Sequence, residues 1–291
     1  MKNKNETYIS VIIPTHNQVS LLEKTLTSLI NQNFDKQNFE IIVVDDGSTD
    51  GTSKLVKKYM LSNNIKYLKQ KNKGPASARN SGLKISKGNI ILFTDSDCIA
   101  DENWIRNIIK PFNQKGVEAV SGKTICDETL IYPWKISPAG HKNVTCNMAY
   151  KRNILLELGG FDESFKFLGE DIDLAERVMK ENYEVVNQTS AVIFHPARKL
   201  SLKGLLRRAR IYTYNNLLYR QHPKSLGSFG FHLRPLFLGF SILGLCFIII
   251  ILLSITFLLQ QGIRFLLTVY SSLFVFIFIL FVLFGYKYLI T

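Results

Sequence analysis

The apolar run Ile90-Ile91-Leu92-Phe93-Thr94 stops at Asp95-Ser96-Asp97, and no other feature of the chain narrows its fold as much. A short continuous apolar run with no alternation reads as a strand buried on both faces, the kind found in parallel sheets covered by helices. Such a strand delivers the residues after it to the carboxyl edge of the sheet, where open α/β sheets bind ligands. Asp95 and Asp97 share a face if the strand continues and stay close if it turns. Two hard oxygen donors then converge on one point, which suits Mg²⁺ or Mn²⁺ carrying a diphosphate. A solvated turn uses the same residue types, so the neighbours decide.

Those neighbours repeat a strand–helix rhythm. Ile9–Ile13 and Ile41–Val44 read as buried strands, Ile65–Leu68 as a third, and Ile90–Phe93 as the next. Between them, Ser20-Leu21-Leu22-Glu23 has the form of a capping box opening a helix with Leu22, Leu26, Leu29 and Ile30 on one face. A second helix carries Leu55, Val56 and Tyr59, and a third runs from Pro75 to Lys84. This spacing argues for a parallel sheet with helices on both faces. After Asp97 the pattern changes. Residues 121–145 read as loops, Asn153–Leu158 as a short helix and Val192–Phe194 as a last strand. Glu170–Asn182 reads as a helix with Ile172, Leu174, Ala175, Val178 and Met179 inward.

The net charge of +13 is unevenly placed. No Asp or Glu follows Glu184, while 11 Lys and Arg do, so the first 184 residues carry only +2. Nine of those late charges lie in residues 198–234, a stretch suited to an anionic membrane surface, with Ser201–Gln221 expected as a basic helix. Hydrocarbon comes next. Leu236–Leu259 and Phe265–Tyr286 are uncharged, and each exceeds the roughly 20 residues that cross a bilayer as a helix. The expected organisation is therefore a domain over 1–197, a basic juxtamembrane segment over 198–234 and a transmembrane hairpin over 235–291. The positive-inside rule places the first domain in the cytoplasm, on a multi-pass protein of the cell (inner) membrane. With the basic stretch assigned to the membrane, no nucleic-acid partner is expected. Met1–Glu6 has no apolar core, so no signal peptide is expected. Cys98, Cys126, Cys146 and Cys246 lack metal-ligand or redox spacing and fit reduced thiols.

Three acidic clusters end strands or open helices: Asp45-Asp46, Asp95 with Asp97, and Gly169-Glu170-Asp171-Ile172-Asp173. No glycine-rich phosphate loop follows the first strand. Phosphates would then be held by a divalent ion, with Arg79 as an available second cation. Asp171 at a helix start can point into a site as a base, or can simply favour the helix dipole. Asp173 reads more readily the second way. His195 reads as a half-buried histidine or as a further metal ligand, and Trp134 as a surface for an acceptor sugar or a pin for its loop.

Five segments occur together and in order: Ser10–Asn17, Val43–Asp50, Asn72–Asn80, Asp95–Asp97 and Gly169–Asp171. In this the chain resembles family 2 glycosyltransferases, from about Ser10 to about Pro196. The resemblance implies an α/β GT-A fold, with a Rossmann-like, mostly parallel sheet, ahead of the hairpin. It implies a nucleotide-diphosphate sugar donor, most often a uridine one, held by the Pro14–Thr15 segment, Asp46, Arg79, Asp95 and Ser96. It implies Mn²⁺ or Mg²⁺ at Asp97, with Asp95 and His195 beside it. It also implies inverting displacement, with Asp171 as base; Glu170 and Trp134 are expected toward the acceptor. Processive polysaccharide synthases carry a Gln-x-x-Arg-Trp signature, and no Trp follows Trp134, so transfer of one sugar is expected. The expected acceptor is membrane-held, and lipid-linked, in cell-surface polysaccharide or glycolipid synthesis. A polyprenyl-phosphate sugar synthase and a non-catalytic nucleotide-sugar-binding scaffold are the alternatives.

Overall fold

The computed structural model describes residues 8–126, 135–136, 145–165, 169–196, 198–199, 250–251, 254, 270 and 273–277. The chain divides into two compact units, Met1–Ser228 and Phe229–Thr291.

In the first unit, strands β1 (Ile9–Thr15), β2 (Phe39–Asp45), β3 (Ile65–Lys69) and β4 (Ile90–Phe93) alternate with helices α1 (Val19–Ile30), α2 (Thr52–Met60) and α3 (Pro75–Ile85). Then come β5 (Ile99–Ala100), α4 (Trp104–Ile109), β6 (Val117–Ile125), β7 (Lys135–Ile136), β8 (Met148–Lys151), α5 (Arg152–Glu157), α6 (Glu170–Lys180), β9 (Glu184–Phe194) and β10 (Arg198–Lys199). The main sheet has the order β3-β2-β1-β4-β8-β6-β9-β5. β1 through β4 pair in parallel, whereas β8 runs antiparallel to both β4 and β6. This is the mixed α/β, GT-A-like sheet that the sequence implies.

Both faces of the parallel half are covered. Val11, Ile13, Val43 and Leu92 pack with Leu22, Leu26 and Leu29 of α1 on one side, while Ile12, Ile42, Val44 and Ile91 pack with Ala76, Ala78 and Leu83 of α3 on the other. A Cβ on Gly82 would lie 2.5 Å from Ile12, so glycine there lets α3 lie against β1.

Several local expectations are corrected. α1 begins at Val19 with Gln18 before it, and no side chain within the helix start caps it. Instead Asp50, from the loop before α2, accepts the Val19 N–H at 3.0 Å. β6 occupies residues 117–125, so the first part of the expected loop region is strand. β9 begins eight residues before the expected strand. In α6 Ile172 and Met179 are exposed, and the buried positions include Glu170 and Asp173.

In the second unit the described residues, 250–251, 254, 270 and 273–277, are all helical. The expected basic helix over 201–221 lies outside the described residues, as do most positions of the expected transmembrane hairpin. Among the described residues no helix is long and apolar enough to cross a membrane.

Candidate active site

The strand order reverses between β1 and β4: β2 and β3 lie on one side of β1, and β4 begins the other. Ligands gather outside the carboxyl ends of strands at such a switch point. Thr15 ends β1, Asp45 ends β2, and Thr94–Asp97 come directly after β4 there. The hydroxyls of Thr15 and Thr94 are buried and have no hydrogen-bond partner among the described residues, and buried polar atoms are ordinarily satisfied. The loops of this rim are tied together. Asn17 donates its N–H to Ser48 Oγ at 2.9 Å and accepts the Thr49 N–H at 2.8 Å. Pro14 sits one residue inside this rim.

Asp45 and Asp46 hold the β2 end. Asp45 Oδ1 accepts the Ser48 N–H at 2.7 Å, and its other oxygen accepts the Tyr67 hydroxyl at 2.6 Å. Burial and that bond to Asp45 push the Tyr67 phenol up to about 12. Asp46 accepts from Gln70 Nε2 (2.8 Å), the Lys73 N–H (2.9 Å) and the Gly74 N–H (2.8 Å). Its carboxylate therefore shapes residues 70–74 and the start of α3, where Gly74 has φ 97°. The His16 ring lies on the same rim, bonded to the Asp46 carbonyl at 2.9 Å.

Beyond β4, one ligand atom each from Asp95, Asp97, Cys98 and His195 all lie within 4.8 Å of one another. His195 Nε2 is 3.6 Å from Asp97 Oδ1. Its Nδ1 lies 3.1 Å from the Pro196 carbonyl, which can only accept. With Nδ1 turned to that carbonyl, Nε2 faces Asp97, the orientation a metal-binding imidazole adopts. Two carboxylates and this nitrogen fit Mn²⁺ or Mg²⁺, with oxygen donors leading. Ser96 donates to Gln18 Oε1 at 2.6 Å.

Arg79 joins this cluster to α6. Its guanidinium donates to Asp95 Oδ1 at 2.8 Å and to Glu170 Oε1 at 2.7 Å, and stands 5.5 Å over the Phe161 ring. It is 5% exposed and its charge is already shared by two carboxylates, so in this arrangement it is a strut between strand end and helix start. Gly169, with φ 101°, makes the left-handed turn that sets Glu170 and Asp171 at the helix mouth. Burial and the neighbouring Glu170 carboxylate push the Asp171 carboxyl up to about 6, against the pull of Arg79. A carboxylate poised near neutrality is suited to accept a proton. Asp173 instead pairs with Arg177 at 2.8 Å. Trp134 lies outside the described residues. Gln70 and Gln18 were missed in the sequence because only the folded loops bring them to Asp46 and Ser96, and Cys98 because only β9 brings His195 to it.

Residues 10–172 match Glycosyl transferase family 2, and residues 142–290 match Glycosyl transferase family group 2. Glycosyltransferase AglE of Haloferax volcanii is 26% identical over 66% of this chain and 67% of its own. Glycosyltransferase GlyG of Streptococcus pneumoniae is 37% identical over 39% of this chain and 38% of its own. The chain thus spans from two thirds to well under half of these relatives. Among solved structures, the mannosyltransferase PcManGT of Pyrobaculum calidifontis, in complex with GDP-Man and Mn²⁺, superposes with a TM-score of 0.58 at 22% identity, covering 74% of this chain and 65% of that one. Staphylococcus aureus TarS 1-349, in complex with UDP-GlcNAc, gives 0.58 at 21% identity over 78% and 76%. At these identities the likeness is one of fold.

Proposed function

Because the chain belongs to glycosyl transferase family 2, we propose that it moves one sugar, with inversion, from a nucleotide-diphosphate donor to a membrane-held, lipid-linked acceptor hydroxyl. The observation that carries this reading is the Arg79 bridge, which couples the Asp95–Asp97–His195 cluster to the base candidate Asp171 on α6. A uridine diphosphate sugar is the proposed donor, consistent with the UDP-GlcNAc held by the TarS structure.

The rim from Pro14 and Thr15 to Asp46 is the proposed nucleoside wall. Asp95, Asp97 and His195 would hold Mn²⁺ or Mg²⁺, which supplies positive charge against the developing charge of the leaving diphosphate. Asp171 takes the proton of the incoming hydroxyl. Arg79 keeps Glu170 and Asp95 in place, and Glu170 frames the acceptor side. Bound close to Asp171, the acceptor displaces water that would otherwise compete for the sugar.

The membrane part of the proposal rests on sequence: the two long uncharged runs and the nine basic residues of 198–234. The catalytic unit would then stand at the cytoplasmic face of the cell membrane. Of the two alternatives, a lipid-phosphate acceptor needs no base, and the raised Asp171 carboxyl favours the hydroxyl acceptor over it.

The test is an acceptor screen with the full chain in detergent or nanodiscs, one labelled nucleotide sugar at a time, with Mn²⁺ present. Transfer of label to a polyprenol-linked saccharide is expected, and its loss in Asp171→Asn. Transfer to polyprenyl phosphate that survives Asp171→Asn would establish the synthase reading. Donor binding without turnover on any acceptor would leave the scaffold.

A further inference from the structure

Cys98 is the member of the metal cluster that a Mn²⁺ or Mg²⁺ site does not call for. Hard ions take oxygen, whereas thiolate with imidazole and carboxylate is a donor set for Zn²⁺. Its sulfur lies among the ligand atoms of Asp95, Asp97 and His195, all within 4.8 Å of one another, and Cys98 is 1% exposed. A tetrahedral sphere with Zn–S near 2.3 Å and Zn–N or Zn–O near 2.0–2.2 Å has ligand-to-ligand edges of about 3.3–3.7 Å. The His195–Asp97 separation of 3.6 Å already has that length. His195 is aimed by the Nδ1 contact to the Pro196 carbonyl at 3.1 Å. The other ligand atoms, no more than 4.8 Å apart, would have to close to those edges, and the Cys98 thiol would give up its hydrogen bond to Cys146.

We propose that Asp95, Asp97, Cys98 and His195 form a tight Zn²⁺ site superimposed on the donor's metal site, so that Zn²⁺ competes with Mn²⁺ and withholds the open positions a diphosphate needs. With four protein ligands the ion is closed off, as in structural zinc sites. Binding replaces the Cys98 thiol proton, which passes to buffer, and forms the S–Zn bond with no change of oxidation state. The proposal rests on the donor-site reading only for what the ion blocks; the coordination stands on the four side chains.

The full chain in detergent is loaded with Co²⁺ as a spectroscopic substitute and titrated with Zn²⁺ against a chromogenic chelator. One Zn²⁺ per chain is expected, bound at least about tenfold more weakly by Cys98→Ser and by His195→Gln. The Co²⁺ form should show a thiolate-to-cobalt charge-transfer band that is lost in Cys98→Ser and Asp97→Asn but kept in Cys126→Ser and Cys146→Ala. A band lost in Cys146→Ala and kept in Asp97→Asn would overturn the proposal in favour of a dithiol pair. Absence of any thiolate band, or unchanged Zn²⁺ affinity in His195→Gln, would also overturn it, and His195→Gln decides the matter if Cys98→Ser does not fold. Nucleotide-diphosphate binding with and without Mn²⁺, measured by calorimetry, reads the donor site separately. No Mn²⁺ effect there, beside an intact thiolate band, would break the donor reading and leave the thiol site standing.

Discussion

The carboxylates that close β2 are consumed by the protein itself, whereas those that succeed β4 and open α6 are set against one another. Asp45 and Asp46 together accept five hydrogen bonds from Ser48, Tyr67, Gln70, Lys73 and Gly74. Asp95 and Glu170 share the Arg79 guanidinium, and Asp97 faces His195 Nε2 at 3.6 Å. In sequence the two groups look alike, as paired acids at apolar strand ends or helix starts. Backbone N–H groups, Tyr67 and Gln70 satisfy the first group; in the second, burial and the neighbouring Glu170 raise Asp171, a demand that a proton can meet.

Substitutions on the two sides should therefore separate activity from stability. The largest effect is expected at Asp97. Asp97→Asn should abolish Mn²⁺-dependent transfer, a loss on the order of 10³ or more, with the melting temperature almost unchanged. Scintillation counting of product beside calorimetric Mn²⁺ titration checks both halves. A variant that binds Mn²⁺ normally would erase the distinction drawn between the two acidic ends.

Asp171→Asn should lower kcat by roughly 10² to 10⁴ while donor affinity survives. Its stability should move the other way. A carboxyl raised to about 6 is costly to ionise in the folded state, so its penalty is absent below the unfolded pKa, grows as pH rises from there to about 6 and is complete above it. Asp171→Asn should gain on the order of 1–3 kcal/mol at pH 7.5 and nothing near pH 3.5. The wild-type rate should in turn fall as pH drops through about 6, because only the ionised carboxylate accepts a proton. Urea melts at the two pH values and a pH–rate profile read these signs.

How much of this was legible in the sequence depends on whether a contact is local. β1 to β4 were readable because strands buried on both faces are unbroken apolar runs. β9 was readable only at Val192–Phe194, because Asn187-Gln188-Thr189-Ser190 break the apolar run at its middle. The capping box at Ser20 misled because the real cap, Asp50, comes from 31 residues downstream. In α6 the apolar count pointed Ile172 and Met179 inward, but Arg79 and Arg177 draw Glu170 and Asp173 into the buried face. The motif order singled out Asp97 and Asp171 as candidates. It did not single out Cys98, which β9 brings together with His195.

Asp46→Ala probes the other side of the comparison. Three bonds to a buried carboxylate disappear and two backbone N–H groups are orphaned, at a cost of about 3–5 kcal/mol. Thermal unfolding should drop by about 10 °C. The donor KM should rise as residues 70–74 loosen, with kcat for the folded fraction changing least. A kcat loss comparable to that of Asp171→Asn would move Asp46 into the reacting group.

The smallest effect is expected at Tyr67. Tyr67→Phe removes only the hydroxyl that donates to Asp45 at 2.6 Å. One buried bond to a charged acceptor is worth about 1–2 kcal/mol, and Asp45 keeps the Ser48 N–H and Lys69 at 4.0 Å. kcat and Mn²⁺ affinity should not change, since the phenol stands behind the β2 end and outside the reacting groups. The pH dependence identifies the bond. The phenol is raised to about 12 by burial and by Asp45, above its unfolded value near 10. Its stabilisation is therefore complete below pH 10 and lost as pH rises toward 12, because the unfolded chain releases that proton first. Wild type should melt above Tyr67→Phe at pH 8, and the two should converge in denaturant melts between pH 10 and 12. A gap that persists unchanged through pH 12 would mean that Tyr67 acts by packing, and that Asp45 holds its place through Ser48 and Lys69.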